Sequence, residues 1–506
     1  LMYCHAKLKN ISQHTVISAH LFLPDYSPMN RDSFYPAIAC FPLLLMLAGC
    51  APMHETRQAL SQHTLAVQVD TALPTALKNG WPDSQWWLEY HDDQLTSLIN
   101  NALQNAPYMQ VAEQRIQLAE AQAKAVATQD GPQLDFSADM ERQKMSAEGL
   151  MGPFALNDPA AGTTGPWYTN GTFGLTAGWH LDIWGKNRAE VTARLGTVKA
   201  RAAEREQTRQ LLAGSVARLY WEWQTQAALN TVLQQIEKEQ NTIIATDRQL
   251  YQNGITSSVE GVETDINASK TRQQLNDVAG KMKIIEARLN ALTNHQTKSL
   301  KLKPVALPKV ASQLPDELGY SLLARRADLQ AAHWYVESSL STIDAAKAAF
   351  YPDINLMAFL QQDALHLSDL FRHSAQQMGV TAGLTLPIFD SGRLNANLDI
   401  AKAESNLSIA SYNKAVVEAV NDVARAASQV QTLAEKNQHQ AQIERDALRV
   451  VGLAQARFNA GLIAGSRVSE ARIPALRERA NGLLLQGQWL DASIQLTGAL
   501  GGGYKR

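Results

Sequence analysis

Side chains that could perform chemistry are few in this chain of 506 residues, and they are scattered. The 12 histidines form no His-Glu-x-x-His pattern, the 3 cysteines form no Cys-x-x-Cys pair, and no Gly-x-Ser-x-Gly sequence marks a nucleophile. Asp182 and Asp390 occupy similar places near expected strand ends, where a hairpin end explains them better than acid–base catalysis. We therefore expect neither an enzyme nor a bound cofactor or metal. The net charge of −2 gives no reason to expect a nucleic-acid partner.

Cys50 is the residue for which the sequence indicates a covalent modification. It ends the run Leu47-Ala48-Gly49-Cys50, which follows an apolar segment of signal-peptide length and resembles the lipobox of bacterial lipoproteins. The resemblance implies cleavage before Cys50 and acyl chains on the cysteine, which would anchor the chain to a membrane. Pro52, in place of an aspartate, favours the outer membrane. An ordinary signal peptide with a chance cysteine is the alternative.

The rest of the chain contains one unit twice. Pro132 precedes Pro352 by 220 residues (352 − 132), whereas Leu181 precedes Leu386 by 205 (386 − 181). A longer loop in the first copy explains both offsets, and a period above 200 indicates a duplicated supersecondary unit. We expect upstream, non-native sequence at 1–28, a lipoprotein signal peptide at 29–49, a lipidated leader with a first helix at 50–105, repeat 1 at 106–303, a linker at 304–320, repeat 2 at 321–500 and a tail at 501–506.

Each repeat contains two segments in which apolar and polar residues alternate, as in a strand. We expect strands at about 133–141, 171–184, 353–361 and 379–389. Their length suits tilted strands that cross a bilayer, although a soluble hairpin with one wet face is the alternative. Four strands cannot close a barrel, whereas two chains would supply eight strands and three chains would supply twelve.

A very long run with little proline follows each pair of strands. Apolar residues recur there at spacings of three and four, so we expect antiparallel helical hairpins over 186–295 and 392–498. Asn253-Gly254-Ile255 and Ala460-Gly461-Leu462 provide the left-handed residue that ends a helix and should form the tips. The narrow apolar stripes favour a hollow tube, in which each helix contacts two neighbours, over a solid bundle.

The sequence resembles the outer-membrane efflux factors, in their lipoprotein branch, the NodT-type proteins. The resemblance extends over 29–506 and rests on several short segments together: 47–50, 86–87, 182–186, 325–329, 350–352, 386–393 and 500–504. It implies a mainly α protein with a membrane β-barrel portion. The duplicated unit, a long antiparallel helical hairpin plus a β-hairpin, would trimerise into a 12-stranded outer-membrane barrel and a periplasmic α-helical tunnel.

The same resemblance implies a function and its sites. The protein would be the passive duct of a tripartite efflux system that exports small toxic compounds, docked to a periplasmic adaptor and an inner-membrane pump. The tips would contact the adaptor through Asn253, Gly254, Ile255, Ala460, Gly461 and Leu462. Acidic residues six and nine positions after the tip glycine can ring the closed aperture in this family. Those positions hold Glu260, Glu263, Arg467 and Glu470.

Arg467 departs from that acidic pattern. Three copies of it could pair with neighbouring glutamates and lock the closed end, or could weaken a ring that attracts cations. A solvated charged helix face is the plain alternative. Two other classes of protein also remain open. A periplasmic coiled-coil adaptor should have one hairpin between β-rich domains, and a structural lipoprotein would leave the alternating segments unexplained.

Overall fold

The structure is a computed structural model of the chain. It describes residues 53, 60–61, 81–144, 146, 157–158, 163–164, 167–255, 257–294, 300–309 and 319–504. The chain divides into two compact units, Leu1–Cys50 and Ala51–Arg506, and every described residue belongs to the second. Cys50 and the expected signal peptide therefore lie outside the described residues.

Eight α-helices lie in the described ranges, and the first of them falls in the expected leader segment. They are α1 (Asp93–Asn105), α2 (Pro107–Ala127), α3 (Lys186–Gln252), α4 (Ser258–Leu292), α5 (Gly319–Arg325), α6 (Ala327–Ala348), α7 (Arg393–Asn459) and α8 (Gly465–Ala499). A 3-10 turn, Trp86–Tyr90, precedes α1, and another, Thr128–Asp130, follows α2. Asp92 caps α1 by accepting a hydrogen bond from the backbone N of Leu95 at 2.8 Å.

Four antiparallel strands form one sheet in the order β1-β2-β3-β4, so each repeat contributes one hairpin. The strands are β1 (Gln133–Lys144), β2 (Trp167–Leu181), β3 (Asp353–Ala364) and β4 (Gln376–Thr385). The loop between β1 and β2 contains a pair of two-residue strands, Asn157–Asp158 and Thr163–Thr164, and the loop between β3 and β4 contains 3-10 turns Leu367–Asp369 and His373–Ala375. The expectation of a mainly α chain is confirmed, and its strands form one small sheet.

The strand ends differ from those expected. β2 begins at Trp167, since its pairing with β1 continues up to Lys144, and it ends at Leu181. The next residues turn back at once, and the N–H of Ile183 donates to the carbonyl of Leu181 at 2.9 Å. β4 ends at Thr385, shortly before Pro387, which has no N–H to donate to a ladder. The sequence pattern had extended strands to 184 and 389, so both ends were misplaced.

The helical hairpins of the two repeats have equal dimensions. α3 and α7 each contain 67 residues, and α4 and α8 each contain 35. At 1.5 Å per residue, each long helix spans roughly 100 Å. α3 packs against α2, α4, α6 and α8, while α7 packs against α6 and α8. Near the tips the helices therefore follow one another in the row α4-α3-α8-α7.

Candidate functional site

The four-stranded sheet has one continuous apolar face. Directly paired residues share a face, and the register places Phe136 beside Leu175, Leu175 beside Leu360, and Leu360 beside Met378. These side chains are not covered within the chain: Phe136 is 67 % exposed and Val380 is 82 % exposed. The face comprises Leu134, Phe136, Ala138, Met140, Phe173, Leu175, Ala177, Trp179, Ile354, Leu356, Ala358, Leu360, Met378, Val380, Ala382 and Leu384. An exposed apolar surface of this extent marks contact with a membrane or a partner.

The opposite face of the sheet is polar and acidic. It carries five carboxylates, on Asp135, Asp139, Glu141, Asp353 and Asp363, together with small and polar residues. Tyr168, Met357, Phe359 and His180 lie on the same face, and His180 is 3.4 Å from Asp353. No lysine or arginine of the four strands lies on this face. The strand cations, Arg142 and Lys144, share the other face near the end of β1.

β1 and β4 are the two edges of the sheet. Each pairs with one neighbour only, and no other strand in the described part of the chain covers its outer side. The N–H and C=O groups along these edges can therefore pair with another strand.

The aspartates that follow the strands cap the long helices. Asp182 accepts hydrogen bonds from two backbone N–H groups at the start of α3, at 3.1 and 2.9 Å. Asp390 accepts two in the same way beside the start of α7, at 3.0 and 2.8 Å. Gly185 and Gly392 take left-handed backbone angles, with φ of 76° and 86°, to let the chain turn from strand to helix.

The six residues predicted at the tips lie at the tips of the two hairpins, and all are exposed. Gly254 has φ of 71° and Gly461 has φ of 69°, as a helix-ending left-handed residue requires. The N–H of Ile255 and that of Leu462 each bond to the carbonyl five residues earlier, at 2.9 Å in both cases. Asn253 also donates from its side chain to the carbonyl of Gln249 at 2.9 Å.

The four residues predicted at the aperture are distributed over two helices. The Arg467 side chain, 68 % exposed, donates to Glu470 on the same helix at 2.7 Å. This bond raises the pKa of Arg467, as does, to a lesser extent, the charge of Asp247 on α3. Glu263 is exposed on α4, and the side chain of Glu260 lies outside the described residues. Asp247 was not predicted from the sequence. Its carboxylate accepts a hydrogen bond from Thr264 at 3.3 Å and so links α3 to α4.

A second residue that the sequence did not single out is Arg326, at the start of α6. Its guanidinium donates to both carboxylate oxygens of Asp328, at 3.0 and 2.6 Å, and to the carbonyl of Ala499 at 3.2 Å. It also lies 3.7 Å from Asp422, and its side chain is only 12 % exposed. Arg326 therefore joins α6, α7 and the end of α8. The Arg-Arg-Ala-Asp run was visible in the sequence, but its distant partners were not.

Across the described ranges, the helices lack an apolar stretch long enough to span a bilayer. The same ranges contain no group of three or more His, Cys, Asp or Glu side chains placed to hold a metal ion.

Comparison with known proteins places this geometry in a family. The family model "Outer membrane efflux protein" matches residues 98–295 and 318–502, one stretch in each repeat. The chain is 98 % identical over 478 residues to the multidrug resistance outer membrane protein MdtQ of Escherichia coli O6:H1, which is 94 % of this chain and 100 % of that protein. It is 36 % identical over 468 residues to MdtP of Escherichia coli O157:H7, which is 91 % of this chain and 94 % of that protein.

Solved structures share the fold. VceC, an outer membrane protein of Vibrio cholerae, is 26 % identical with a TM-score of 0.71, over 84 % of this chain and 100 % of that chain. The CmeC outer membrane channel of Campylobacter jejuni is 18 % identical with a TM-score of 0.77, over 90 % of this chain and 95 % of that chain. Since the family model covers both repeats and the 98 % identical relative spans nearly the whole chain, the resemblance seen in the sequence is confirmed, and this chain belongs to the outer membrane efflux protein family.

Proposed function

We propose that three copies of this chain form the outer-membrane duct of a tripartite efflux system, through which small toxic compounds leave the cell. Three copies would supply twelve strands (three times four) for a closed barrel and twelve long hairpin helices for a periplasmic tunnel. The duct would be passive, and an inner-membrane pump would supply the energy. The membership of the chain in a family of outer membrane efflux proteins supports this assignment.

The observation that carries the proposal is the sheet with an apolar face and two unpaired edges. A bilayer cannot hydrogen-bond an open edge, so an apolar four-stranded sheet can sit there only as part of a closed barrel. Pairing β4 of one copy with β1 of the next would satisfy both edges and would repeat around a ring. The apolar face would then contact lipid and the acidic face would line the interior.

The helical hairpins supply the remaining sites of the proposal. Both tips, at Gly254 and Gly461, would contact a periplasmic adaptor. The four charged positions next to them, at 260, 263, 467 and 470, would form the narrowest part of the tunnel. Acyl chains on Cys50 would anchor the leader in the outer membrane, and the boundaries of the leader, repeats and linker would follow the partition expected from the sequence.

Planar-bilayer recording of the detergent-purified protein, with its mass measured in parallel, tests the proposal. We expect discrete conductance steps from a particle with the mass of three chains. A trimer without steps would point to a closed aperture. Variants with the charges removed at Arg467 and Glu470 should then open the aperture. If these variants also gave no conductance steps, the proposed duct would be contradicted. A detergent-free monomer without conductance would overturn the proposal and favour a structural or adaptor role.

A further inference from the structure

The end of the sheet that lies farthest from the helices carries cations on its apolar face. At the opposite end, every strand either continues into a helix or follows one. At the far end, β1 closes with Arg142 and Lys144, which follow Met140 on the apolar face because alternate residues of a strand share a face. Both cations are exposed, and neither forms an ion pair with another residue in the described ranges. The apolar face therefore becomes cationic at Arg142.

The strand carboxylates near this end lie on the other face of the sheet. Glu141 alternates with the two cations along β1, and Asp363 pairs with Thr172, so both belong to the polar face. The sheet thus separates the charges of its far end, with cations on one face and carboxylates on the other. Cations that border an apolar surface in this way suit an anion that carries an apolar part of its own.

The loop between β3 and β4 adds apolar surface beside these cations. Leu367 and Leu370 of the loop lie over Gly171 of β2, where an added Cβ would come within 3.0 and 2.9 Å of them, so a side chain there would displace the loop. Gly171 lies on the apolar face, one residue pair away from Arg142. Phe371 is 84 % exposed, although its ring lies 5.6 Å from a phenylalanine ring of β2. The loop therefore continues the apolar face up to the level of the cations.

We infer that Arg142 and Lys144 bind the phosphate groups of a lipid in the outer leaflet of the membrane. Two residues of a strand separate the side chains by about 7 Å, and arginine and lysine are the two side chains best suited to phosphate. The acyl chains of the same lipid would lie against the apolar face. Trp167 pairs directly with Lys144 and is 53 % exposed, as is typical of an aromatic ring at headgroup level. This inference rests on the proposed function, in which the helices are periplasmic and this end of the sheet faces outward.

Native mass spectrometry of the detergent-purified, full-length protein tests the inference by counting bound lipids. The probe is lipid A, a glycolipid that carries phosphate groups, and the comparison is the same glycolipid after its phosphates have been removed. We expect one lipid A molecule per chain, bound at least about tenfold more tightly than the dephosphorylated form. Equal binding of the two glycolipids would overturn the inference. Displacement of lipid A by an equimolar amount of inorganic phosphate would also overturn it, because the ligand would then be free phosphate.

Charge variants locate the binding site. Arg142→Gln combined with Lys144→Gln should weaken lipid A binding about tenfold, whereas Arg142→Lys, which keeps the charge, should retain most of it. Arg372→Gln is the matched control at the same end of the sheet. The Arg372 side chain is 69 % exposed but lies 3.1 Å from Asp369, so its loss should weaken binding less than about twofold. Unchanged binding in the double variant, or an equal loss in the Arg372 variant, would contradict the inference.

The mass and the conductance of the same samples distinguish the two ways in which the inference can fail. A conducting trimer that binds both glycolipids equally would refute the lipid site and leave the proposed function intact. A monomer without conductance would refute the proposed function and the lipid site together.

Discussion

Arg326 is a largely enclosed cation, 12 % exposed, whose partners come from its own helix, from α7 and from the end of α8. Arg326→Ala would remove the cation that pairs with Asp328 and the side-chain donor to the carbonyl of Ala499, although the backbone N–H of Leu329 would still donate to Asp328. The guanidinium is largely desolvated while the two carboxylates are 27 % and 38 % exposed, so the loss should lie between those of buried and exposed pairs, at about 2 kcal/mol. Thermal unfolding of the detergent-purified protein, followed by circular dichroism, would measure the loss.

Arg425 provides a matched control for this prediction. It lies 3.1 Å from the same Asp422, but its side chain is 73 % exposed. Solvent screens such a pair, so Arg425→Ala should cost less than about 1 kcal/mol. Equal losses in the two variants would show that burial of the Arg326 guanidinium has no special importance.

Because of Tyr90, the free energy of unfolding of the protein should fall as the pH rises above 10. Burial is the main cause that raises the pKa of Tyr90 from its ordinary value of 10.0 to about 12. Between these two pH values the unfolded chain loses the phenol proton while the folded chain keeps it. The contribution of Tyr90 is therefore complete below pH 10 and is lost as pH rises toward 12. Tyr90→Phe should reduce the fall of the denaturant unfolding midpoint between pH 10 and pH 12. Tyr108→Phe, which alters an exposed ring, should leave that fall unchanged.

At the scale of the elements, the first hairpin tip offers two glycines with opposite expected behaviour. Gly254 has φ of 71°, so Gly254→Ala should destabilise the turn by about 1–2 kcal/mol. Gly261 lies inside α4 with open space around it, so Gly261→Ala should stabilise that helix by up to about 1 kcal/mol. Amide hydrogen exchange near the tip would report faster exchange for the first variant and slower exchange for the second. Changes of the same sign would contradict this account of the turn.

The elements themselves were largely predictable, and their ends were not. Alternation of Leu134, Phe136 and Met140 with aspartates identified β1, because the side-chain period of a strand is two. The same alternation continued past Leu181 and Thr385, where turn geometry and Pro387 end the ladder. The pattern shows which residues suit a sheet, but pairing with a neighbouring strand decides how many of them join it.

The site shows a similar limit. Gly254 and Gly461 could be assigned to tips because local sequence determines a left-handed helix end. The pairing of Arg467 with Glu470 was accessible from their spacing of three along one helix. The links from Arg467 to Asp247 and from Arg326 to Asp422 depend on helix packing, and no local pattern contains that information.

At the scale of the whole molecule, the acidic face of the sheet predicts the ion preference of the duct. Three copies would place fifteen carboxylates (three times five) on the interior of the barrel, with no strand lysine or arginine beside them. We expect reversal potentials in a potassium chloride gradient to favour cations over anions. Asp135→Asn with Asp139→Asn should reduce this preference, and Ser137→Ala, on the same face between them, should not. An unchanged preference would place the selective region outside the barrel.

The equal helix lengths of the two repeats have a consequence for how far the helical hairpins can extend from the sheet. Each hairpin consists of an outgoing helix of 67 residues and a returning helix of 35 residues, and the polypeptide contains this hairpin twice. A deletion in one copy would draw back one tip by about 1.5 Å per residue and rotate it by about 100°. It would leave the other tip in place, so the end of the molecule would become uneven. Only deletions of the same number of whole helical turns from both hairpins would shorten the helical end of the molecule evenly. We therefore expect changes in its length to occur in both repeats together.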